Sequence, residues 1–203
     1  MASSNPDADW QSFMREPVRY IDPARFAACF GDTVAPALSQ QLRQNPRLQS
    51  RLSLLVQTHY RLESWTDPRT LEAADRVIAL AMPRELAQLA LRAGAIYWSA
   101  AIAGTVLAKA VTALQQQLGD EFVSYAIGQR DLAGPAQSLE PLDTVGTRIE
   151  TDGWRCLAAW CDAAAPGIAL RVRLKLPEGS IVDQPAPPEF KGKGAAIIRR
   201  AAA

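Results

Sequence analysis

The chain has almost no histidine: His59 is the only one among 203 residues. It falls in a run of leucines at helical spacing, with Leu52, Leu55 and Leu62, and no motif of nucleophile and orienting group stands beside it. General-base catalysis by histidine requires such partners within hydrogen-bond reach. We therefore interpret His59 as an ordinary helical residue, and we predict that the protein is not an enzyme and uses no cofactor.

Cysteine is scarce as well, with Cys29, Cys156 and Cys161 as the only three. An odd number without repeated spacing argues against a disulfide framework and fits a reducing compartment. A structural zinc site needs four cysteine or histidine ligands, and no second histidine accompanies Cys156 and Cys161. We predict that Cys156 and Cys161 are small buried apolar residues and that the protein has no metal site.

Neither sign of charge dominates, since the formal net charge is +1. That balance argues against a nucleic-acid-binding protein, which would carry a basic surface. The charge is nevertheless uneven, because seven basic and three acidic residues follow position 166. This excess predicts a surface for an acidic partner; the competing interpretation is an ordinary solvated face and tail. The candidate partner-binding residues are Arg171, Arg173, Lys175, Lys191 and Lys193.

Long hydrophobic runs are missing. The longest charge-free segment, residues 93–108, is rich in alanine, glycine and serine, and it is shorter than the roughly 20 apolar residues that a membrane-spanning helix needs. The first ten residues are polar and acidic, unlike a signal peptide. We predict a cytoplasmic protein without direct membrane insertion.

What the chain does have is helical periodicity between residues 46 and 132 and again over residues 147–164. Pro83 is expected to begin the longest helical stretch, which ends near Gly119, and Gly94 would let a neighbouring helix approach closely. The sequence therefore predicts a mainly α single domain over residues 13–177. Residues 1–12 are expected to form a flexible leader and residues 178–203 a flexible proline-, glycine- and lysine-containing tail.

One segment departs from this pattern. Residues 168–176, IALRVRLKL, alternate strictly between apolar and mostly basic positions, which is typical of a half-buried strand. We predict a small β element near the C-terminus that buries Leu170, Val172 and Leu174 and exposes the basic residues between them. The segment PVRYI, residues 17–21, is the candidate partner strand.

Two stretches resemble a known family. The N-terminal stretch is FMREPVRYIDPARF, residues 13–26; the C-terminal one combines Gly153, Leu157 and Trp160 with the RVRLKLP run. Together they resemble the SctK family of type III secretion sorting-platform proteins, which includes YscK and PscK. The chain has Asp22 where the family pattern leads us to expect a histidine.

The resemblance implies a cytoplasmic, non-enzymatic adaptor held at the inner membrane by its partners. Such proteins link the cytoplasmic domain of the inner-membrane ring protein SctD to the pod protein SctQ, and the pods carry SctL and the export ATPase SctN. A helical secretion chaperone or a regulator of the export ATPase remains the alternative. The near-neutral charge counts against the chaperone, for which a strongly acidic chain is expected.

Overall fold

The computed structural model describes residues 6–62, 66–105 and 107–203, and within these ranges it contains thirteen α-helices and no strand. The prediction of a mainly α single domain is confirmed. The helices are α1 Pro6–Arg15, α2 Pro23–Ala28, α3 Pro36–Gln44, α4 Gln49–His59, α5 Ala73–Leu80, α6 Pro83–Tyr97, α7 Ser99–Gly104, α8 Ala108–Leu118, α9 Asp120–Ile127, α10 Val145–Ala163, α11 Pro166–Arg173, α12 Pro188–Lys191 and α13 Gly194–Ala202.

Helices α6 and α10 cross at the centre of the molecule, and two glycines allow the crossing. A Cβ atom on Gly153 would lie 2.6 Å from the carbonyl carbon of Ala90 and 3.0 Å from the amide nitrogen of Gly94. A Cβ atom on Gly94 would in turn lie 2.8 Å from the carbonyl carbon of Ile149. Ordinary carbon contacts are about 3.5–4.0 Å, so only glycine fits on both sides. The predicted close approach at Gly94 is confirmed.

Helix α6 begins at Pro83, as predicted, and the carboxylate of Glu85 accepts a hydrogen bond from the Met82 amide at 2.7 Å. Proline suits the first position because it lacks only an amide hydrogen that the helix leaves unpaired there. The single long stretch expected up to Gly119 is instead divided into α6, α7 and α8. Trp98 stands at the first break, and its indole nitrogen donates to the carboxylate of Asp152 on α10 at 2.8 Å.

Helix α13 packs against α10 on another side, so the prediction of a flexible tail over residues 178–203 is wrong. Phe190, Ile197 and Ile198 are buried in the main hydrophobic cluster. A Cβ atom on Gly194 would lie 2.7 Å from the Cβ of Ala159, which again marks a close helix contact. The leader prediction fails in part: residues 1–5 lie outside the described residues, but residues 6–12 belong to α1. Trp10 is buried there and donates to the Thr66 carbonyl oxygen at 2.9 Å.

The predicted strand over residues 168–176 is also wrong, because residues 166–173 form α11 and a turn follows. Pro166 and Gly167 start the helix instead of separating two elements. The alternating pattern misleads because the segment is enclosed on nearly all sides: Val172 and Leu174 are buried as expected, but Arg171 and Lys175 are buried as well. With basic and apolar side chains both inside, the period of two carries no information about exposure.

The segment of residues 17–62 forms a smaller lobe, which we call the N-terminal lobe. It contains α2, α3 and α4 and has a hydrophobic cluster of its own. Leu174, which follows α11, joins this cluster and connects the lobe to the rest of the chain. The buried members are Val18, Ile21, Phe26, Leu52, Val56 and Leu174.

Candidate interaction surfaces and the junction that positions them

The two stretches that carry the family resemblance contact each other, and we call this contact the terminal junction. The amide of Asp22 donates to the carbonyl oxygen of Leu174 at 2.8 Å. The guanidinium of Arg25 donates to the carbonyl oxygens of Leu176 at 2.7 Å and Pro177 at 3.1 Å. The predicted pairing of residues 17–21 with the C-terminal run as strands is therefore wrong, and hydrogen bonds from the nearby Asp22 and Arg25 join the two regions instead.

Arg25 also forms an ion pair inside this junction. Its Nη2 atom lies 2.5 Å from the Asp183 carboxylate, and Asp183 also accepts a hydrogen bond from the Gly179 amide at 2.8 Å. Arg25 itself is buried. A buried guanidinium with a carboxylate and two carbonyl acceptors is well satisfied, so this contact holds the N-terminal lobe against residues 174–183.

Arg171 closes the end of α1. Its side chain is fully buried; Nη2 donates to the carbonyl oxygen of Met14, and Nη1 to that of Gly167, both at 2.9 Å. The last carbonyl groups of a helix have no partner within the helix, and a cation there also opposes the helix dipole. Burial raises the pKa of the neighbouring Tyr20, an effect that Arg171 opposes. Arg171 is thus a helix-capping residue inside the molecule.

Lys175 does the same at the end of α5. Its ammonium donates to the carbonyl oxygens of Ala79 at 2.5 Å and Ala81 at 2.7 Å. It also lies 4.9 Å from the ring centre of Phe13 and 5.3 Å from that of Tyr20, within the range of cation–π attraction. Burial lowers the pKa of Lys175 to about 7, and Glu85 opposes that shift. The junction therefore contains a lysine whose pKa burial lowers to near neutral pH.

These contacts correct the sequence prediction about the basic row. Arg171 is 0% and Lys175 is 2% exposed, so the prediction that they face solvent is wrong. Arg173 is half-buried and donates to the Asp162 carboxylate at 2.9 Å and the Val182 carbonyl oxygen at 2.8 Å. Only Lys191 and Lys193 of the five candidates are exposed. The reason is physical: the basic residues near α11 satisfy carbonyl and carboxylate oxygens that distant parts of the chain present.

Arg173 and Lys191 nevertheless come together, at a surface groove of about 760 Å³ between the end of α10, the start of α11 and α12. Asp162 lies in the same groove and pairs with Arg173. The remaining lining is largely alanine, with Pro166 and Leu170. Lys193 points elsewhere, donating to the Ala133 carbonyl oxygen at 3.1 Å.

The scarce residues take structural places. His59 is exposed at the end of α4, with its ring centre 4.7 Å from that of Tyr60. Cys156 and Cys161 are buried as predicted, and burial raises the pKa of both thiols. Over the ranges that the structure covers, no cluster of histidine, cysteine, aspartate or glutamate is suited to a metal ion. Nor does any helix in those ranges have the length and apolarity to cross a membrane.

Sequence reasoning missed a buried carboxylate on α5. Asp75 accepts hydrogen bonds from the Trp160 indole nitrogen at 2.6 Å and from Arg199 Nε at 2.7 Å, so it ties α5 to α10 and α13. The same contact raises the pKa of Arg199. Arg25 and Asp183 were missed as well. All these pairs join residues far apart in the chain, so no local sequence pattern predicts them.

Comparisons with known proteins agree with the resemblance. The family described as YOP proteins translocation protein K (YscK) matches residues 8–200. The chain is 28% identical over 193 residues to nodulation protein NolU of Rhizobium fredii, a match that covers 91% of this chain and 85% of the relative. NolU of Sinorhizobium fredii strain NBRC 101917 / NGR234 matches with the same identity and coverage. No solved structure matches. The YscK family is one of secretion components and not of enzymes, and since the match spans nearly the whole chain, the protein belongs to the YscK family of type III secretion systems.

Proposed function

We propose that the protein is a non-enzymatic adaptor of a type III secretion sorting platform, located at the cytoplasmic face of the inner membrane. It links the cytoplasmic domain of an SctD-like ring protein to an SctQ-like pod protein. Through the pod it is connected indirectly to SctL-like and SctN-like ATPase components. The observation that carries this proposal is the YscK match over residues 8–200.

The arrangement of the chain supports an adaptor role. An adaptor must hold two partners at once, which requires two separate surfaces in a fixed relation. The N-terminal lobe and the main helical body each have a hydrophobic cluster, and each therefore has an outer surface of its own. The terminal junction joins them through Asp22 and Arg25, which contact residues 174–183. Partners bound to the two surfaces are then held at a defined distance.

For the C-terminal region, the candidate contacts to an acidic partner are now Lys191 and Lys193, with Arg173 at the groove. Lys191 and Lys193 are exposed, and both lie around α12. Arg171 and Lys175 instead contribute by holding the junction. Attraction between exposed charges should weaken with added salt, because the screening length is about 8 Å at physiological ionic strength.

Co-purification tests the proposal directly. The tagged full chain is mixed with the ring-protein domain and the pod protein of the same secretion system, and size-exclusion chromatography is expected to show a ternary complex. A Lys191→Glu/Lys193→Glu variant is expected to lose affinity for one partner only, and it should fold normally because both side chains are exposed. If the wild-type chain retains neither partner, the adaptor function is rejected. If the variant binds both unchanged, only the role of the two lysines is removed.

A further inference from the structure

Helix α4 presents a basic side to solvent with one leucine at its centre. Arg51, Leu54 and Thr58 follow each other at steps of three and four along α4, so they lie on one side of the helix. Arg47 lies two residues before the first residue of α4, and Arg61 lies two residues after the last. All five side chains are exposed. We call this set the α4 face: Arg47, Arg51, Leu54, Thr58 and Arg61.

The α4 face is distinct from the side on which the helix packs. Leu52 and Val56 are buried in the cluster of the N-terminal lobe, together with Phe26 and Leu174. Leu54 takes no part in that cluster and is 63% exposed. A helix that has already buried its packing side gains nothing within the chain from a leucine on the opposite side. Leu54 is therefore available to contact another molecule.

The charge around Leu54 has a single sign. Residues 33–62 contain four arginines and no aspartate or glutamate. One of the four, Arg43, donates to the carbonyl oxygens of Val18 at 3.1 Å and Arg19 at 3.4 Å, within the lobe. Among the described residues, no carboxylate lies within ion-pair distance of Arg47, Arg51 or Arg61. The chain is nearly neutral as a whole, so this lobe is an exception to its charge balance.

Several arginines elsewhere in the chain form ion pairs. Arg25 contacts Asp183, Arg173 contacts Asp162 and Arg199 contacts Asp75, at 2.5, 2.9 and 2.7 Å. Arg200, which is well exposed, still lies 3.2 Å from Asp131. The α4 face therefore combines three exposed arginines that have no carboxylate partner among the described residues with one large exposed apolar residue. That combination resembles the centre and rim of a protein interface, where an apolar anchor is surrounded by complementary charge.

We propose that the α4 face is a docking surface for an acidic segment of a partner protein, with Leu54 seated against an apolar side chain of that segment. The arginines contact carboxylates on either side of this anchor. Arginine suits such contacts because its planar guanidinium can hold a carboxylate through two parallel hydrogen bonds. The basic side of an otherwise neutral chain also steers an acidic partner to this face during encounter.

A protein partner fits the surface better than a membrane does. Helices that lie in a bilayer surface use a broad apolar side, and the apolar side of α4 is already buried by Leu52 and Val56. A duplex nucleic acid offers phosphates to the arginines but little apolar surface to Leu54 beyond thymine methyl groups. Anionic vesicles and duplex DNA are therefore included in the binding test as alternative probes, and neither is the expected ligand.

The choice of probes rests on the proposed function, because the ring-protein domain and the pod protein are the two partners tested. Binding of each to the full chain is measured by titration at low and high salt. The variants are Leu54→Asp and Arg47→Glu/Arg51→Glu. The control for Leu54→Asp is Leu107→Asp, because Leu107, the residue before α8, is 67% exposed. The control for the double arginine variant is Arg84→Glu/Lys109→Glu, at exposed positions of α6 and α8. Circular dichroism checks that every variant keeps its helical content.

The expected result is that both α4 variants lose at least tenfold in affinity for one of the two partners, while the controls bind as the wild type does. Added salt should weaken the wild-type complex more than that of the double arginine variant. Wild-type affinity in both α4 variants would overturn the docking surface and leave the adaptor function standing. A wild-type chain that binds neither partner rejects the adaptor function and the surface with it. If the α4 variants lose binding only to anionic vesicles or duplex DNA, and not to either protein, the proposal of a protein partner is overturned.

Discussion

Replacing Gly153 by alanine tests the contact on which the fold is centred. The added methyl group would lie 2.6 Å from the carbonyl carbon of Ala90 and 3.0 Å from the amide nitrogen of Gly94. Both obstacles are backbone atoms, so no side chain can rotate away. Helices α6 and α10 must separate by roughly 1 Å to restore ordinary carbon contacts of about 3.5–4.0 Å. That movement loosens the packing of buried neighbours such as Leu86 and Leu157.

The magnitude follows from two opposed effects. Alanine favours a helix over glycine by about 1 kcal/mol. Overpacking a core typically costs about 1–3 kcal/mol and occasionally more, and rigid backbone obstacles place Gly153→Ala at or above the top of that range. We expect a net loss of about 2 kcal/mol in the free energy of unfolding. For a chain of this size such a loss lowers the midpoint of thermal unfolding by about 4–8 °C.

Urea unfolding followed by circular dichroism measures the loss, with Gly192→Ala as the control. Gly192 follows α12, has a φ of −79°, and a Cβ atom there would meet no described atom within 4 Å. Its alanine variant should stay within about 0.5 kcal/mol of the wild type. Because Gly94 and Gly153 share one contact, Gly94→Ala/Gly153→Ala should cost less than the sum of the single variants. Equal unfolding midpoints for Gly153→Ala and Gly192→Ala would refute the close crossing.

Three further predictions concern the buried polar groups and the C-terminus. First, the pKa of Lys175 is about 7 in the folded chain and ordinarily near 10.5, so unfolding takes up a proton between those values. The stability of the wild type relative to Lys175→Met should therefore rise with pH, by up to about 1.4 kcal/mol per unit, in urea titrations from pH 7 to 10; a pH-independent difference contradicts it. Second, Asp75→Ala leaves Trp160 and Arg199 without their acceptor and should cost about 3 kcal/mol, whereas Asp131→Ala at an exposed pair should cost about 0.5 kcal/mol in the same assay. Third, deletion of residues 178–203 removes Ile197 and Ile198 from the core and should abolish cooperative thermal unfolding, an outcome that a flexible tail would not give.

Local sequence signals correctly predict the helices whose ends they mark. Pro83 at a first helical position and the apolar periodicity of residues 147–164 correspond to the observed start of α6 and to most of α10. A small residue within an apolar helix predicts the close approach at Gly94, and the structure has it there. The fold class followed from such features, since each depends on residues within a few turns of one another.

The errors have the opposite origin. The sequence wrongly predicts Arg171 and Lys175 to be exposed, because their partners, the carbonyl oxygens of Met14, Ala79 and Ala81, come from distant parts of the chain. In the sequence, a basic residue whose partners are remote backbone oxygens cannot be distinguished from a basic residue that is exposed to solvent. The helix α13 was missed for a related reason. A helix of nine residues is stable mainly through tertiary packing, and its packing surface lies on α10.

The residues that carry the family resemblance, from Phe13 to Phe26 and from Arg171 to Pro177, are those that hold the terminal junction. Their pattern therefore reflects how these two segments contact each other, and it gives no information about partners. Partner contacts must come from side chains that the fold leaves exposed, and these include the arginines of the α4 face and the two lysines around α12. The two regions belong to different parts of the molecule, which is the arrangement that the proposed adaptor role requires.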